Sequence, residues 1–591
     1  MPDELRAGAS STLRPSRARR RQRIAALTAM AALLSACGGG GGGGDSPAPA
    51  PPSPPTSSTC AAPAPNPALG VNPGPVPSPP APSGAFVIVG TATYDFVPTN
   101  STGRGLDYAG TTPRPIRGAT VQLLDGANNV LATTTTSETG SYGFGLPSAQ
   151  PVRVRVRAEI RRSGSPNGDR NFTVLDNTAS NALYVLDSAP LTPAAGSNTV
   201  NLNAASGWGG SSYTGTRSAG PFAILDVAYA AQTKVASADP TVTLAPLQLY
   251  WSPNNQPAVG SSGGPDFPAG LIGTSFFTSS GSTRSLYLLG AANTDTDEYD
   301  SHVVAHELGH YLQSALSRDD SPGGAHSTQD ELDLRLAFSE GWGNAWSGMA
   351  LGSPLYTDSQ GSGQAAGFAI NVGTPPGAGD RGAYSESSSQ YLLWTLHQDP
   401  AVGFTPIYSS MRGLAAAPTF TTLYSFAAQL KTALASAAAS ITSLWAGQQI
   451  VAQDACGSGE SNAGANASNL PVYKDYGATA GVVQNYCVNT SSDPDNDGNK
   501  LGRHVYVRFA LSGARTITAT RSGGSFTGAS DPDLVLVRSD GSRSFANAET
   551  TPTQALVTTL PAGTHVLGLE DFNLEAPANT PATSCFNLTV N

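Results

Sequence analysis

The sequence predicts a multidomain α+β protein in which a mainly helical domain lies between two β-sandwich domains, behind a disordered N-terminal tether. The chain has 591 residues, which is too long for one ordinary domain. Its 66 glycines and 46 prolines suit many short strands and turns together with a linker. Stretches of β-branched residues with turn signals stand on both sides of a region that has long segments of helical spacing.

Residues 1–37 have the features of an export signal. A basic, arginine-rich stretch precedes an apolar segment at 24–34, which is too short to span a bilayer. The sequence Leu34-Ser35-Ala36-Cys37 resembles a bacterial lipobox, and this resemblance implies that Cys37 carries lipid and anchors the protein to a membrane. An ordinary signal peptide followed by an unrelated cysteine is the alternative. By the same resemblance to Gram-negative lipoproteins, Gly38 favours the outer membrane over the inner one. The sequence does not decide between its periplasmic and its outer face.

Two β-rich segments follow a Gly/Pro-rich tether at 38–84. Residues 85–203 contain the motif Thr139-Gly140-x-Tyr142-x-Phe144 and resemble the carboxypeptidase-regulatory-like, transthyretin-like β-sandwich, which is usually an accessory module. Residues 490–591 contain the run Asp531-Pro532-Asp533-Leu534-Val535-Leu536 and resemble the bacterial pre-peptidase C-terminal domain, a β-sandwich.

The region 204–489 carries the strongest chemical signal, His306-Glu307-Leu308-Gly309-His310. An α-helix advances 100° per residue, so both imidazoles of this motif fall on one helix face, one turn apart. Such a pair can bind one tetrahedral ion, with Glu307 beside it. A pair of buried structural histidines is the alternative. Helices are predicted around 299–317, 329–351, 385–398 and 422–453.

A third ligand is expected from the second of these helices. Glu340 lies 30 residues beyond His310, and Asn344 follows it by four residues on the same helix face. This arrangement resembles the gluzincins, the thermolysin-like zinc metallopeptidases that have two His and one Glu ligand on successive helices. The resemblance implies one catalytic Zn²⁺ held by His306, His310 and Glu340. Asn344 stands where these enzymes have an acid that orients a ligand His.

The resemblance also implies the reaction. Glu307 would act as the general base in the hydrolysis of peptide bonds, more readily internal ones, in a polypeptide substrate. A further residue would stabilise the oxyanion, and Tyr384 is the favoured candidate. The other candidates are Tyr391, His326 and His397. In this superfamily an edge strand before the zinc helix binds the substrate backbone, which here points to the strand pair "GTSFF" at 273–277 and "SLYLLG" at 285–290.

The remaining signals are weaker. Asp493, Asp495 and Asp497 match the first half of a calcium loop, but the residue at its twelfth position is His504, so a solvated acidic turn is the alternative. The net charge of −10 argues against nucleic acid as a partner. The oligomeric state is left open.

Disulfides are expected in an exported protein. A Cys456–Cys487 bridge is the favoured pairing, and Cys60–Cys585 is a second one.

Two other functions are consistent with the same sequence. One is a surface-anchored binding or adhesion lipoprotein with an inactive metal domain. The other is a zinc amidohydrolase acting on cell-wall peptides.

Overall fold

The computed structural model describes residues 60, 82–162, 169–492, 499–547, 551–574 and 580–591. The signal peptide with Cys37, nearly all of the tether, and the predicted calcium residues Asp493, Asp495 and Asp497 lie outside the described residues. No helix among the described residues combines the length and the apolar character that a membrane crossing requires.

The N-terminal part is built from two sheets that face each other. In β6 the sequence Val-Arg-Val-Arg-Val-Arg alternates, and every Val is buried while every Arg is partly exposed. One sheet has five strands around β1, and the other has the order β10-β6-β3-β4. The strands of these two sheets are β1 (Phe86–Phe96), β2 (Thr112–Pro115), β3 (Thr120–Asp125), β4 (Val130–Thr135), β5 (Ser141–Leu146), β6 (Val152–Arg157), β10 (Val185–Asp187), β11 (Gly196–Thr199) and β12 (Leu202–Ala204). The same stretch of chain contains β7 (Glu159–Arg162), β8 (Arg170–Asp176) and β9 (Ala182–Leu183), which join a sheet of the central part.

The central part combines helices with two further sheets. Its strands are β13 (Leu247–Trp251), β14 (Phe276–Ser280), β15 (Thr283–Leu288), β16 (Gly290–Ala291), β17 (Asp295–Thr296), β18 (Leu355–Gln360) and β19 (Ala366–Asn371). Its helices are α1 (Gly220–Ala238), α2 (Ser301–Leu316), α3 (Leu334–Leu351), α4 (Glu386–Gln398), α5 (Phe404–Gly413), α6 (Leu423–Ala433) and α7 (Ala438–Gly447). One sheet has the order β14-β15-β13-β8-β7, and the other has the order β16-β17-β18-β19.

The C-terminal part is a second two-sheet sandwich. The sheet orders are β20-β22-β27-β24-β25 and β21-β28-β23-β26. A separate hydrophobic core fills the space between them, with Val488, Leu569 and Phe586 fully buried. The strands are β20 (Tyr473–Gly477), β21 (Gln484–Asn489), β22 (His504–Phe509), β23 (Gly513–Gly523), β24 (Pro532–Val537), β25 (Arg543–Ala546), β26 (Thr553–Leu560), β27 (His565–Asp571) and β28 (Thr583–Val590).

Short three-residue 3-10 helices connect several of these elements. They are Tyr108–Gly110, Phe267–Ala269, Ser362–Gln364, Ala378–Asp380, Leu414–Ala416, Ala435–Ala437 and Ala467–Asn469.

The prediction of a mainly helical catalytic domain between two sandwiches is wrong. Strands hold 34% of the described residues and helices of all types hold 24%, and seven of these helices are α-helices. The central β13 pairs in parallel with β8, which comes from the segment before residue 203, and with β15 on its other side. A parallel strand of this kind is buried on both faces and needs sheet neighbours as well as helices. The central part is therefore a layered structure of sheets and helices.

The helix boundaries differ from the predicted ones in two places. The helix expected from residue 329 begins at Leu334, because the Asp333 carboxylate accepts a hydrogen bond from the Arg335 N–H and acts as the N-cap. The segment predicted at 422–453 forms two helices, α6 and α7, which are separated by a short 3-10 turn. Helices α2 and α4 match their predicted positions.

Both predicted disulfide pairings are wrong. The bonds join Cys60 to Cys456 and Cys487 to Cys585. Cys487 and Cys585 stand directly opposite each other on the antiparallel strands β21 and β28. Sequence proximity suggested the Cys456–Cys487 pair, but Cys456 is buried in the central core and Cys487 lies in the C-terminal sandwich.

We expect the double variant C487S/C585S to lower the free energy of unfolding of the C-terminal sandwich by about 2–5 kcal/mol, since the bond restricts the unfolded chain. Denaturant unfolding would measure this loss. Peptide mapping without reduction is the accompanying control, and it should recover both observed pairs. A linked Cys456–Cys487 peptide would contradict this arrangement.

Candidate metal centre

The three predicted metal ligands meet between helices α2 and α3. His306 and His310 lie one turn apart on α2, and their Nε2 atoms are 3.0 Å from each other. Oε2 of Glu340, on α3, lies 3.2 Å from Nε2 of His306 and 3.3 Å from Nε2 of His310. These three donor atoms could hold one metal ion. Two imidazole nitrogens and one carboxylate oxygen are the donor set of several three-ligand catalytic zinc sites.

Glycine makes this close approach of the two helices possible. A Cβ atom on Gly343 would lie 2.7 Å from Cε1 of His306, and one on Gly309 would lie 3.1 Å from Cα of Gly343. The first distance is shorter than real Cβ contacts, so any larger residue at position 343 would displace the imidazole. The indole N–H of Trp342 donates to the carbonyl oxygen of Gly309 at 3.0 Å and joins the same two turns.

The amide of Asn344 orients His306. Its Nδ2 donates to Oε1 of Glu386 at 2.6 Å and to Oε1 of Gln390 at 2.8 Å. Both amide hydrogens are thus used, and Oδ1 faces Nδ1 of His306 at 2.8 Å as an acceptor. The proton of the neutral imidazole therefore sits on Nδ1, and Nε2 keeps the lone pair that a metal ion requires.

Ser339 plays the corresponding part for His310. Its hydroxyl donates to Oε1 of Gln313 at 3.0 Å, so its oxygen is an acceptor for Nδ1 of His310 at 3.3 Å. Nε2 of His310 is thus the nitrogen that faces Glu340 and that would bind a metal ion. The donor set and the tautomers of both imidazoles therefore fit a metal ion.

Charge and burial act strongly on these groups. Burial disfavours the ionised form of Glu340, but His310 and His326 outweigh it and hold the pKa of this carboxyl well below its usual range. Burial also disfavours the charged form of His310, yet the Glu340 carboxylate raises its pKa to about 9. The centre thus attracts positive charge.

Glu307 is on α2, next to the ligand residue His306. Burial raises the pKa of its carboxyl, while the charges of His306 and His310 act in the opposite direction. The backbone of Phe277, in β14, hydrogen-bonds this carboxylate. Glu307 therefore lies where α2 faces β14, the outer strand of the sheet.

His326 approaches the centre from the loop between α2 and α3. Its Nε2 lies 3.4 Å from Oε2 of Glu340 and 3.8 Å from Oε2 of Glu386, and its Nδ1 lies 3.1 Å from the carbonyl oxygen of Gly324. Burial opposes the charged form of His326, but Glu340 raises its pKa to about 10. Among the oxyanion candidates, His326 makes the contacts to the ligand set.

The other oxyanion candidates have different surroundings. The Tyr384 hydroxyl donates to the carbonyl oxygen of Arg381 at 3.0 Å and lies 3.2 Å from Oδ1 of Asn462. His397 contacts Lys234, with 3.4 Å between Nε2 and Nζ. Tyr391 is half-buried on α4. None of these contacts involves the three metal donors.

Several residues around the three donors were not predicted from the sequence. The Tyr356 ring centroid lies 6.1 Å from that of His306, and the residue is buried on β18. Glu386 and Gln390 share one face of α4, four residues apart, and together hold Asn344. The four-residue spacing of these two polar residues was a usable signal. Tyr356 offered none, because it belongs to a strand that follows the motif by 46 residues.

Comparisons with known proteins give no family assignment. No model of a known protein family matches the chain, and no curated protein matches it. Among solved structures, the chain is similar to the pre-peptidase C-terminal domain of a collagenase from Bacillus anthracis, with 12% identity and a TM-score of 0.14. The match covers 20% of this chain and 94% of that one.

Two periplasmic inhibitors of g-type lysozyme, both called PliG, show comparable similarity. The one from Aeromonas hydrophila is 9% identical with a TM-score of 0.14, and the match covers 20% of this chain and 96% of that one. The one from Salmonella Typhimurium is 13% identical with a TM-score of 0.12, over the same shares. TM-scores this low do not establish a common fold and imply nothing about function.

We expect Gly343→Ala to weaken the binding of Zn²⁺, used here as the probe, by at least about tenfold, because the added methyl pushes His306 away from Glu340. Competition with a chromophoric chelator would measure the affinity.

The matched control is Gly447→Ala, since a Cβ at the end of α7 meets no atom within 4 Å. This variant should keep the wild-type affinity. Equal zinc affinity in the Gly343→Ala variant would contradict the role of the close helix contact.

Proposed function

We propose that this protein is a zinc-dependent hydrolase that cleaves peptide bonds, of the gluzincin type. One observation carries the proposal: two imidazole Nε2 atoms and Oε2 of Glu340 lie within 3.0–3.3 Å of one another. Acceptors occupy the Nδ1 atoms of both histidines, which leaves both Nε2 lone pairs for the metal. Buried histidines with a purely structural role need no such convergence.

Zinc, when bound, supplies a Lewis acid that acidifies water and polarises a carbonyl group. His306, His310 and Glu340 would hold it. The proton chemistry belongs to Glu307, whose carboxylate accepts a proton from the attacking water and returns it to the leaving amine. Burial makes Glu307 a stronger base than an exposed carboxylate, and this supports the assignment.

His326 is our proposed oxyanion residue. Its ring reaches the ligand set, whereas the hydroxyl of Tyr384 is engaged by Arg381 and Asn462. A donor that helps to stabilise the charge developing on the carbonyl oxygen has to stand at the metal centre. The geometry therefore favours His326 over the tyrosine that the sequence suggested.

The substrate would be an extended polypeptide. Strand β14 is the edge of its sheet among the described strands, and it pairs only with β15. Its residue Phe277 contacts Glu307 through the backbone. An extended chain added along β14 would therefore pass the general base with its main chain hydrogen-bonded. The sequence shows no obvious feature for gripping a chain end, which favours internal bonds.

We also propose that the protein works in the bacterial cell envelope, tethered by lipid on Cys37. The lipobox-like sequence and the Gly/Pro-rich segment behind it support this location. A surface-anchored binding protein with an inactive metal domain, and an amidohydrolase of cell-wall peptides, would use the same ligands and anchor. A test for peptide cleavage distinguishes the binding protein from a protease. Substrate profiling distinguishes the amidohydrolase from a protease.

We expect Glu307→Gln to lower the rate of peptide cleavage by about 10²–10⁴-fold while the protein keeps its zinc, since the amide cannot accept the proton. Elemental analysis and cleavage of a broad peptide library would measure both quantities on the same purified protein.

Glu138→Gln serves as the control, because this exposed carboxylate lies in the N-terminal sandwich and contacts Tyr229. The control should retain both zinc and activity. Zinc without cleavage of peptides or cell-wall peptides in the wild type would favour the binding protein.

We expect His326→Gln to lower kcat by about 10²–10³-fold with zinc content and KM nearly unchanged, as for the loss of an oxyanion donor. Tyr384→Phe should stay within a few fold of the wild type. Steady-state kinetics on both variants would decide between the two residues, and the reverse pattern would restore Tyr384 as the oxyanion residue.

A further inference from the structure

A second group of donor atoms lies outside the zinc-type centre. One carboxylate oxygen from each of Asp295, Asp297 and Asp358 lies within 4.8 Å of the others. Asp295 and Asp297 are two residues apart, so their side chains leave the same face of the chain. Strand β17 pairs with β18 through Asp295 and Gln360, and this brings Asp358 to the same place. The three residues are called the Asp cluster below.

Asp300 provides an independent observation beside the Asp cluster. It is the N-cap residue of α2 and is 0% exposed, yet its side chain makes no capping bond. Its Oδ2 accepts from the N–H and the hydroxyl of Ser359, at 3.0 and 2.6 Å. Oδ1 has no hydrogen-bond partner among the described residues. The N–H of Asp300 donates to the carbonyl oxygen of Asp297 at 3.1 Å, and Ser359 directly follows Asp358 on β18, so Asp300 lies beside both of these residues of the Asp cluster.

Several of the other buried acids are paired with bases. Glu298 contacts Arg217, Asp320 contacts Arg318, and Asp333 contacts Arg335. The Asp cluster and Asp300 differ, because no ion pair joins any of the four to a basic side chain in the described part of the chain. Asp297 is only 2% exposed. Several carboxylates this close and this buried cannot all stay ionised without a cation between them.

We propose that the Asp cluster, together with the free oxygen of Asp300, binds a calcium ion. All donors are hard oxygens, and no His or Cys belongs to the group, which argues against zinc. Calcium takes six to eight oxygens and accepts both oxygens of one carboxylate, whereas Mg²⁺ requires near-octahedral geometry and retains water. The hydroxyl of Ser275 already contacts Asp297 and supplies a further neutral oxygen at the site.

This site would fasten the strand β18 to the start of the zinc-ligand helix. Asp300 immediately precedes α2, while Asp358 lies on β18. On the same strand, the ring of Tyr356 lies 5.8 Å from that of His302 and 6.1 Å from that of His306. Calcium would therefore hold one wall of the metal centre in place. The proposal concerns a structural ion and does not depend on hydrolytic activity.

The test measures binding of radioactive calcium by equilibrium dialysis, on the full chain loaded with zinc. The substitutions D493N and D495N are introduced first, to remove the other predicted calcium segment. This background protein should bind about one calcium per chain, and excess magnesium should not displace it. Adding D297N and D358N should abolish that binding. Failure of the background protein to bind calcium at millimolar concentration would overturn the proposal.

Thermal unfolding provides a second readout. Calcium should raise the Tm of the background protein and leave that of the D297N/D358N protein unchanged. Without calcium, the two amides should raise the Tm, because they remove the repulsion between carboxylates. If that variant fails to fold, Asp300→Asn keeps the proposal testable, since it should weaken calcium binding at least tenfold. Unchanged calcium affinity in every folded variant would overturn the proposal. It would mean that protons shared between the carboxylates, and not a calcium ion, keep the Asp cluster together.

Discussion

The contact between helices α2 and α3 is the constraint on which the metal centre depends. Three donor atoms from two helices can meet only if the helix backbones come closer than ordinary side chains allow. Gly309 and Gly343 face each other at this point, and the His306 ring fills the space beside Gly343. Glycine weakens a helix interior by roughly 1 kcal/mol relative to alanine. The burial of almost every side chain of α3 offsets this cost and keeps the helix in place.

The hydrogen bonds behind the ligands explain why an amide stands at position 344. An aspartate there would place a second carboxylate where Nδ2 of Asn344 now lies 2.6 Å from Glu386. The two carboxylates would repel each other in a buried site. Asn344 can accept from His306 and still donate to Glu386 and Gln390. The amide at position 344 is thus matched by an acid on the neighbouring helix.

The sequence predicted the donor residues of the centre better than the fold around it. Helical spacing alone placed His306 and His310 on one face, while the resemblance to gluzincins supplied Glu340. The loop residue His326 has no periodicity from which its approach to Glu340 could be predicted. The prediction of a mainly helical domain was wrong because β8 and β13 pair across a long stretch of sequence, and local sequence patterns do not indicate such pairing. For the same reason, local sequence patterns could not indicate the disulfide partner of Cys60, which lies 396 residues away.

The start of α2 links the two groups of donors electrostatically. A helix N-terminus carries about half a positive charge, which favours one nearby carboxylate. When ionised, the carboxylates of Asp300 and the Asp cluster carry several times that charge. Oδ2 of Asp300 accepts hydrogen bonds from Ser359 and none from the N–H groups of the helix. The helix dipole therefore cannot balance this group, and no arginine or lysine in the described part of the chain pairs with it. A bound cation would keep these acids ionised at the start of α2.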